Sequence, residues 1–257
     1  MDRIDSRDNH LIKEIKKLKD RKYREEKKLF IIEGFRFLDE AIKSSFNIRY
    51  IFIDEDVVSK FSNNNYYLDS KIKICVLNKK VYKDIALTKT PQGVSAVLEM
   101  KQVVKEETNG FYVLLDKLQD PGNVGTIIRT AHAFNALGVI VTKGSVDIYN
   151  EKTLRSTMGS IFKVPIIYDK DLSFIKSLKT NGFKLIATSL NDSKSIMDEN
   201  ISGNVILTLG NEGNGVSEEI FDLCDIKIRI PMPGGAESLN VSTAGSIMMY
   251  EYFKNNR

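Results

Sequence analysis

Three short blocks concentrate the side chains able to hold a polar ligand or move a proton on it. DPGNVGTIIRT at 120–130 carries Asn123 and Arg129, LGNEGNG at 209–215 carries Asn211 and Glu212, and PGGAESLN at 233–240 carries Glu237, Ser238 and Asn240. Amides and hydroxyls donate and accept hydrogen bonds, and a carboxylate can accept a proton. Arginine stays protonated with a pKa above about 12, so it suits an anion better than a proton. Neither glycine loop matches G-x-x-x-x-G-K-S/T, nor G-x-G-x-x-G between a strand and a helix, which counts against ATP hydrolysis and ordinary dinucleotide binding. His10 and His132 are the only histidines, so no metal site is expected. Cys75 and Cys224 sit in apolar runs and read as buried, reduced thiols.

Each of these residues also has a purely structural reading. Asn123 stands just before an apolar helical stripe and suits a helix cap as well as a ligand contact. Glu212 lies between glycines that permit close backbone approach, and a turn-stabilising carboxylate is its plain alternative. Ser217 is placed as a helix cap, with Glu218 and Glu219 in the first turn where carboxylates suit the dipole. Arg155, in LRSTMGSIFKVP, reads equally as a surface arginine.

The elements that must position these residues follow from periodicity. FYVLLD, beginning at Phe111, is a buried strand, and Val124, Ile127, Ile128, Ala131 and Phe134 then stripe one face of a helix, with Arg129 well off it. A strand at 138–142, a helix around 152–161, a strand ending near Ile167, a helix to Thr180 and the strand FKLIATSL follow. The apolar runs 205–209 and 226–230 stop abruptly at glycine, asparagine or proline. This alternation predicts an α/β domain over 111–257, its mostly parallel sheet covered by helices on both faces, with a pocket at the carboxyl ends of the strands. Upstream, residues 29–100 alternate strands and helices as a smaller α/β unit, and the hydrophilic KQVVKEETNG at 101–110 reads as a linker.

The 257 residues are 42% hydrophobic and 28% charged, ordinary for a globular protein. No apolar run approaches the roughly 18 residues of a membrane span, and the amino terminus is charged, so a cytoplasmic location is expected. Net charge is +4, yet residues 11–28 hold nine Lys or Arg against four acids, so the whole excess belongs to the amino-terminal element, 1–28. Leu11, Ile15 and Leu18 at helical spacing make it an amphipathic helix. A basic helix suits a phosphate backbone, and a solvated helix face is the plain alternative.

Taken together, DPGNVGTIIRTAHAFNALGV, LTLGNEGNGVSEEI and IRIPMPGGAESLNVSTAGSIMMYE resemble, in order and spacing, the three motifs of the SpoU (TrmH-like) branch of the SPOUT RNA methyltransferases. The resemblance is close over 111–257. Residues 29–100 are more loosely similar to an L30e-like substrate-binding domain, and the basic helix resembles that of ribosomal RNA members. It implies a deep carboxyl-terminal trefoil knot, which pattern alone does not show and which globular chains nearly always avoid. Small residues in GGAES and VSTAGS would then give crossing chains room. It further implies S-adenosylmethionine held by Thr188, Leu209, Gly210, Asn211, Gly213, Ile230, Met232, Ser238, Leu239 and Asn240, with Ile230 and Leu239 covering the adenine.

The implied reaction is methylation of an RNA ribose 2′-hydroxyl, with 23S ribosomal RNA as the favoured substrate. A tRNA 2′-O-methyltransferase, a catalytically inactive RNA-binding homologue and a base methyltransferase are the other readings. The resemblance places Arg129, Asn123, Glu212, Ser238 and Asn240 at the chemistry, leaving open whether Glu212 accepts a proton and whether Arg129 activates the hydroxyl or clamps a phosphate. It assigns RNA contacts to Lys13, Lys16, Lys17, Arg21, Lys22, Arg24, Arg129 and Arg155. It also implies a homodimer through the knotted domain, with Arg129 a candidate for lending across the interface.

Overall fold

The computed structural model describes residues 1–64, 66, 68–101, 109–189 and 193–257; most of the linker read at 101–110 lies outside them. The chain forms two units, one of Met1–Lys101 with Tyr149–Leu154, the other of Gln102–Ile148 with Arg155–Arg257. The first runs β1 (Asp2–Ile4), α1 (His10–Lys17), α2 (Arg21–Lys27), β2 (Leu29–Glu33), α3 (Phe35–Ile42), β3 (Ile48–Asp54), α4 (Val58–Asn63), β4 (Lys73–Leu77), α5 (Lys79–Ile85) and β5 (Val94–Glu99). Its strands form one mixed sheet in the order β1-β4-β3-β5-β2.

The basic segment is not one helix. Asn9 caps α1 and Asp20 caps α2, the chain breaking between them, and Lys28 ends α2 in the left-handed region at φ 55°. Ile12, Ile15 and Leu18 are buried and enter the same core as Phe52, Leu77 and Tyr82. The buried position is therefore Ile12, with Leu11 packed at the margin, and both helices are part of the first unit's fold. β1 was not foreseen, because DRID is charged. Its three residues pair in parallel with Cys75, Val76 and Leu77, so the ladder makes it a strand where its composition does not.

The second unit contains β6 (Phe111–Leu115), α6 (Pro121–Ala133), β7 (Gly138–Thr142), the end of α7 (Glu151–Thr157), β8 (Ile166–Asp169), α8 (Ser173–Thr180), β9 (Lys184–Thr188), β10 (Lys194–Ser195), β11 (Val205–Leu209), α9 (Glu218–Phe221), β12 (Ile226–Arg229) and α10 (Val241–Asn255). All seven strands pair in parallel, ordered β10-β12-β9-β11-β6-β7-β8. Every residue of β6, β7 and β11 is buried, which is why they read as unbroken apolar runs. Tyr112, Leu114 and Ile206 pack with Ile175 and Leu178 of α8 and Ile220 of α9 on one face. On the other, α6 and α10 lie side by side, and Phe111 meets Tyr252 with ring centroids 4.6 Å apart.

The helix expected over 152–161 is interrupted. Met158 and Gly159 take φ of 51° and 90°, ending α7 at Thr157, and one 3-10 turn, Ser160–Phe162, follows. Cys75 is buried and Cys224 half-buried; both are free thiols, and burial pushes each thiol pKa up.

Candidate active site

Strand order reverses between β6 and β11. From β6 the sheet steps to β7 and β8, and from β11 it steps the other way to β9, β12 and β10. Loops leaving the carboxyl ends of such a pair part from one another and open a crevice. Asp116 donates its N–H to Leu209 O at 2.9 Å, closing the bottom of the crevice.

Beyond Leu209 the loop doubles back on itself. Asn211 and Gly215 exchange backbone hydrogen bonds of 2.8 and 2.9 Å. The Asn211 side chain accepts from the amides of Gly213 and Asn214 at 3.0 and 3.1 Å and donates to Lys117 O at 2.9 Å. Gly210 has no room for another residue, since a Cβ there would lie 2.2 Å from Gly215 C and Val216 N. Asp116, buried at the end of β6, accepts the Ser217 N–H at 2.7 Å and so fixes the far end of the loop. Ser217 does sit at the N-cap of α9, but its side chain makes no capping bond.

The resulting cleft has a volume of about 600 Å³, within the range of small-molecule sites. Thr188 lines it from the end of β9, and Leu209, Gly210, Asn211 and Gly213 from β11 and its loop. Ile230, Met232, Ser238, Leu239 and Asn240 line it from the segment between β12 and α10, so all ten residues expected to hold a cofactor meet there. Ser189, Asn214, Phe221 and Arg229 also line it and were not foreseen.

Glu212 ties the first motif to the second. Its carboxylate accepts the backbone N–H groups of Gln119 at 3.2 Å and Asp120 at 3.1 Å and the Asn123 amide at 3.2 Å. Burial by itself would raise the carboxyl pKa. Hydrogen bonds from its own backbone N–H, Gln119, Asn123 and Asp120 outweigh that and hold it below the ordinary glutamate value. Such a carboxylate is a poor proton acceptor and a good anchor.

Asn123 is not the helix cap. Asp120 caps α6, accepting the Asn123 N–H at 2.8 Å, and Pro121 occupies the first turn, where its missing N–H costs nothing. The Asn123 side chain is therefore free to give its amide to Glu212 and to accept from Asn240 Nδ2 at 2.9 Å. Asn240 in turn caps α10, its Oδ1 accepting the Ser242 N–H at 2.9 Å and the Ser242 hydroxyl at 2.6 Å. One chain of amides thus joins all three motifs.

Arg129 is exposed on α6 and does not line the cleft, standing six residues or about 9 Å along the helix from Asn123. Among the described residues it makes no hydrogen bond or ion pair. Arg155 is exposed on α7. In the first unit Lys13, Lys16, Lys17 and Arg21 are ion-paired with Asp8, Asp84, Glu14 and Glu25, each cation itself remaining exposed, and Lys22 is exposed. Arg24 differs from the surface expectation: it is 6% exposed and donates Nη1 to Leu18 O, bracing the turn between α1 and α2.

The SpoU rRNA Methylase family model matches residues 110–250, which is more than half of the chain. The chain belongs to the SpoU rRNA methylase family. A second model, the MRM3-like substrate binding domain, matches residues 9–96 of this SpoU methylase. It is 34% identical over 250 residues to the 23S rRNA (guanosine(2553)-2′-O)-methyltransferase RlmP of Bacillus subtilis, covering 97% of this chain and 98% of that one. Its fold resembles the AdoMet-bound rRNA methyltransferase of Sinorhizobium meliloti with a TM-score of 0.84 and 31% identity, over 97% and 96% of the two chains. The AdoMet complex of the SpoU methyltransferase AviRb of Streptomyces viridochromogenes gives 0.83 and 25%, over 96% and 97%.

Proposed function

We propose that this SpoU methylase transfers the methyl group of S-adenosylmethionine to a ribose 2′-hydroxyl of 23S ribosomal RNA. The observation that carries the reading is the cleft at the β6/β11 switch point, lined by the second and third motifs and joined to the first by Glu212, Asn123 and Asn240. Its size and its apolar walls of Leu209, Ile230 and Leu239 beside polar loop groups suit an adenosine-bearing ligand. Identity to RlmP along nearly the whole chain supports ribosomal over transfer RNA.

Bound S-adenosylmethionine supplies a methyl group activated by its sulfonium. The ribose oxygen would take the methyl as the methyl–sulfur bond breaks, leaving S-adenosylhomocysteine, and would give up its proton. Asn240 uses one amide hydrogen on Asn123 and has a second for the acceptor nucleotide, beside Ser238 at the open rim. Glu212 positions Asn123 and loop 210–217 and is not the base, because four donors already stabilise its charged form. Arg129 clamps an RNA phosphate, which its permanent charge favours. The proton leaves to water at the rim as the new C–O bond forms.

The remaining parts of the reading fit this frame. A trefoil knot in the carboxyl-terminal segment is what the family resemblance implies, and α10 packs closely on β11, where a Cβ on Gly245 would lie 2.6 Å from Leu209 Cδ1. Gly234 has open space around it and Gly235 takes φ +77°, so the GGAES glycines serve a turn and not a tight crossing. Residues 1–28 and the L30e-like unit at 29–100 bind RNA ahead of the methyltransferase domain at 111–257, and the protein works in the cytoplasm. Two copies pair through α6 and α10, where Tyr250 and Phe253 are 54% and 37% exposed beside Phe134, and Arg129 serves the partner's cleft.

Calorimetric titration with S-adenosylmethionine and mapping of methylation on RNA from a deletion strain test the reading. One binding event per chain and one 23S nucleotide restored by added enzyme are expected. Absence of cofactor binding would leave an RNA-binding homologue.

A further inference from the structure

Beyond the cleft, the carboxyl edge of the parallel sheet carries a row of cations. The last paired residues of β7 and β8 are Thr142 and Asp169, so Lys143 and Lys170 come next in register. Leu115 of β6 pairs with Val141, and Lys117, two residues beyond the end of β6, donates its N–H to Thr142 Oγ1 at 3.1 Å, next to Lys143 in the chain. Leu209 of β11 pairs with Leu115, and Asn211, two residues beyond the end of β11, donates Nδ2 to Lys117 O. Neighbouring strands lie about 4.8 Å apart. Lys117, Lys143 and Lys170 thus each follow, within two residues, the carboxyl end of one of three neighbouring strands, β6, β7 and β8, and Lys117 is bonded to a cleft-lining residue.

Acidic groups near the row are turned to other work. Asp116 is 1% exposed and accepts the Ser217 N–H; Asp169 is 2% exposed and accepts the Ile175 N–H at 2.9 Å. Asp171 is exposed and binds the Ser173 hydroxyl at 2.7 Å. Lys117 has a distant ionic neighbour, Glu219 at 4.0 Å, with the lysine side chain 45% and the glutamate 72% exposed. Among the described residues Lys143 and Lys170 form no ion pair, and both are exposed. Lys117 is also held at φ 56°, a left-handed conformation uncommon for a side-chain-bearing residue, by Thr142 Oγ1 accepting its N–H at 3.1 Å.

We propose that Lys117, Lys143 and Lys170 form a phosphate track that guides the RNA strand flanking the target nucleotide along the strand ends and into the cleft. This rests on the RNA methyltransferase reading. A line of exposed ammonium groups matches a polyanion better than a single small anion, since each cation can neutralise a successive phosphate and release its counterion. It adds a second RNA surface, on the catalytic unit, to the basic helices α1 and α2.

The test compares the double variant Lys143→Ala/Lys170→Ala with Lys163→Ala/Lys184→Ala, which removes the same charge at the opposite, amino edge of the sheet. Affinity for in-vitro transcribed 23S rRNA is measured as a function of salt, with methyl transfer to that RNA and calorimetric S-adenosylmethionine affinity alongside. The track variant should bind RNA about tenfold more weakly and lose about 1.4 from its log–log salt slope, at about 0.7 per single-strand contact. Its KM for RNA should rise while its cofactor affinity stays at the wild-type value, and the amino-edge variant should match the wild type. Wild-type affinity and slope in the track variant, or equal losses in both variants, would overturn the track alone. A wild-type enzyme that transfers no methyl to RNA would overturn the underlying reading and the track with it.

Discussion

The Glu212 carboxylate and the Asn123 amide meet at 3.2 Å, joining a loop that lines the cleft to the helix that carries Arg129. The pair makes Glu212 a positioning residue. Glu212→Gln should weaken S-adenosylmethionine binding and lower methyl transfer, while the pH–rate profile keeps its shape through the neutral range. A profile whose acid-side rise disappears with the substitution would instead make Glu212 the proton acceptor.

The same carboxylate gives a pH dependence of known sign. Its folded pKa is depressed, so its contribution is present above the ordinary glutamate pKa of about 4.3 and is lost as pH falls through the lower folded value. Cofactor affinity should be flat from neutrality to about pH 5 and decline below it. Titration calorimetry across that range should show less decline in Glu212→Gln.

Arg129→Ala should abolish methyl transfer and leave cofactor affinity within about twofold, because Arg129 is exposed and outside the cleft. Tyr250→Asp/Phe253→Asp should shift sedimentation toward a monomer and lose activity. Mixing inactive Arg129→Ala with an inactive cleft variant, Asn240→Ala, should restore part of the activity if the arginine serves its partner's site.

The glycines separate by cause. Gly210→Ala drives a Cβ into the backbone of Gly215 and Val216 and should cut cofactor affinity at least about tenfold. Gly235→Ala, at φ +77°, should cost about 1–2 kcal/mol. Gly234→Ala should change stability by less than about 0.5 kcal/mol. Thermal denaturation and calorimetry distinguish the three.

Arg24 and Lys22 look alike in the sequence and should behave oppositely. Arg24→Ala leaves Leu18 O without its buried donor and should cost about 2 kcal/mol of stability. Lys22→Ala should leave stability unchanged within about 0.5 kcal/mol and weaken RNA binding.

The parallel sheet and the cleft were legible because β6, β7 and β11 are unbroken apolar runs and because a glycine loop follows β11 directly. Asp120 as the cap of α6 was also legible, in the Asp-Pro pair, yet a second possible cap at Asn123 obscured it. Other features depended on contacts distant in the chain. β1 is a strand only through β4, Arg24 is buried only because α1 and α2 break apart, and the low Glu212 pKa depends, besides its own backbone N–H, on donors about ninety residues earlier. Periodicity carries no trace of such partners.

Methyl transfer to ribose is tested most directly by incubating the enzyme with methyl-labelled S-adenosylmethionine and 23S rRNA, then hydrolysing the RNA in alkali. A 2′-O-methyl group blocks attack on the neighbouring phosphate, so the label should be recovered in one alkali-resistant dinucleotide. Label recovered in a mononucleotide carrying a methylated base would contradict ribose methylation.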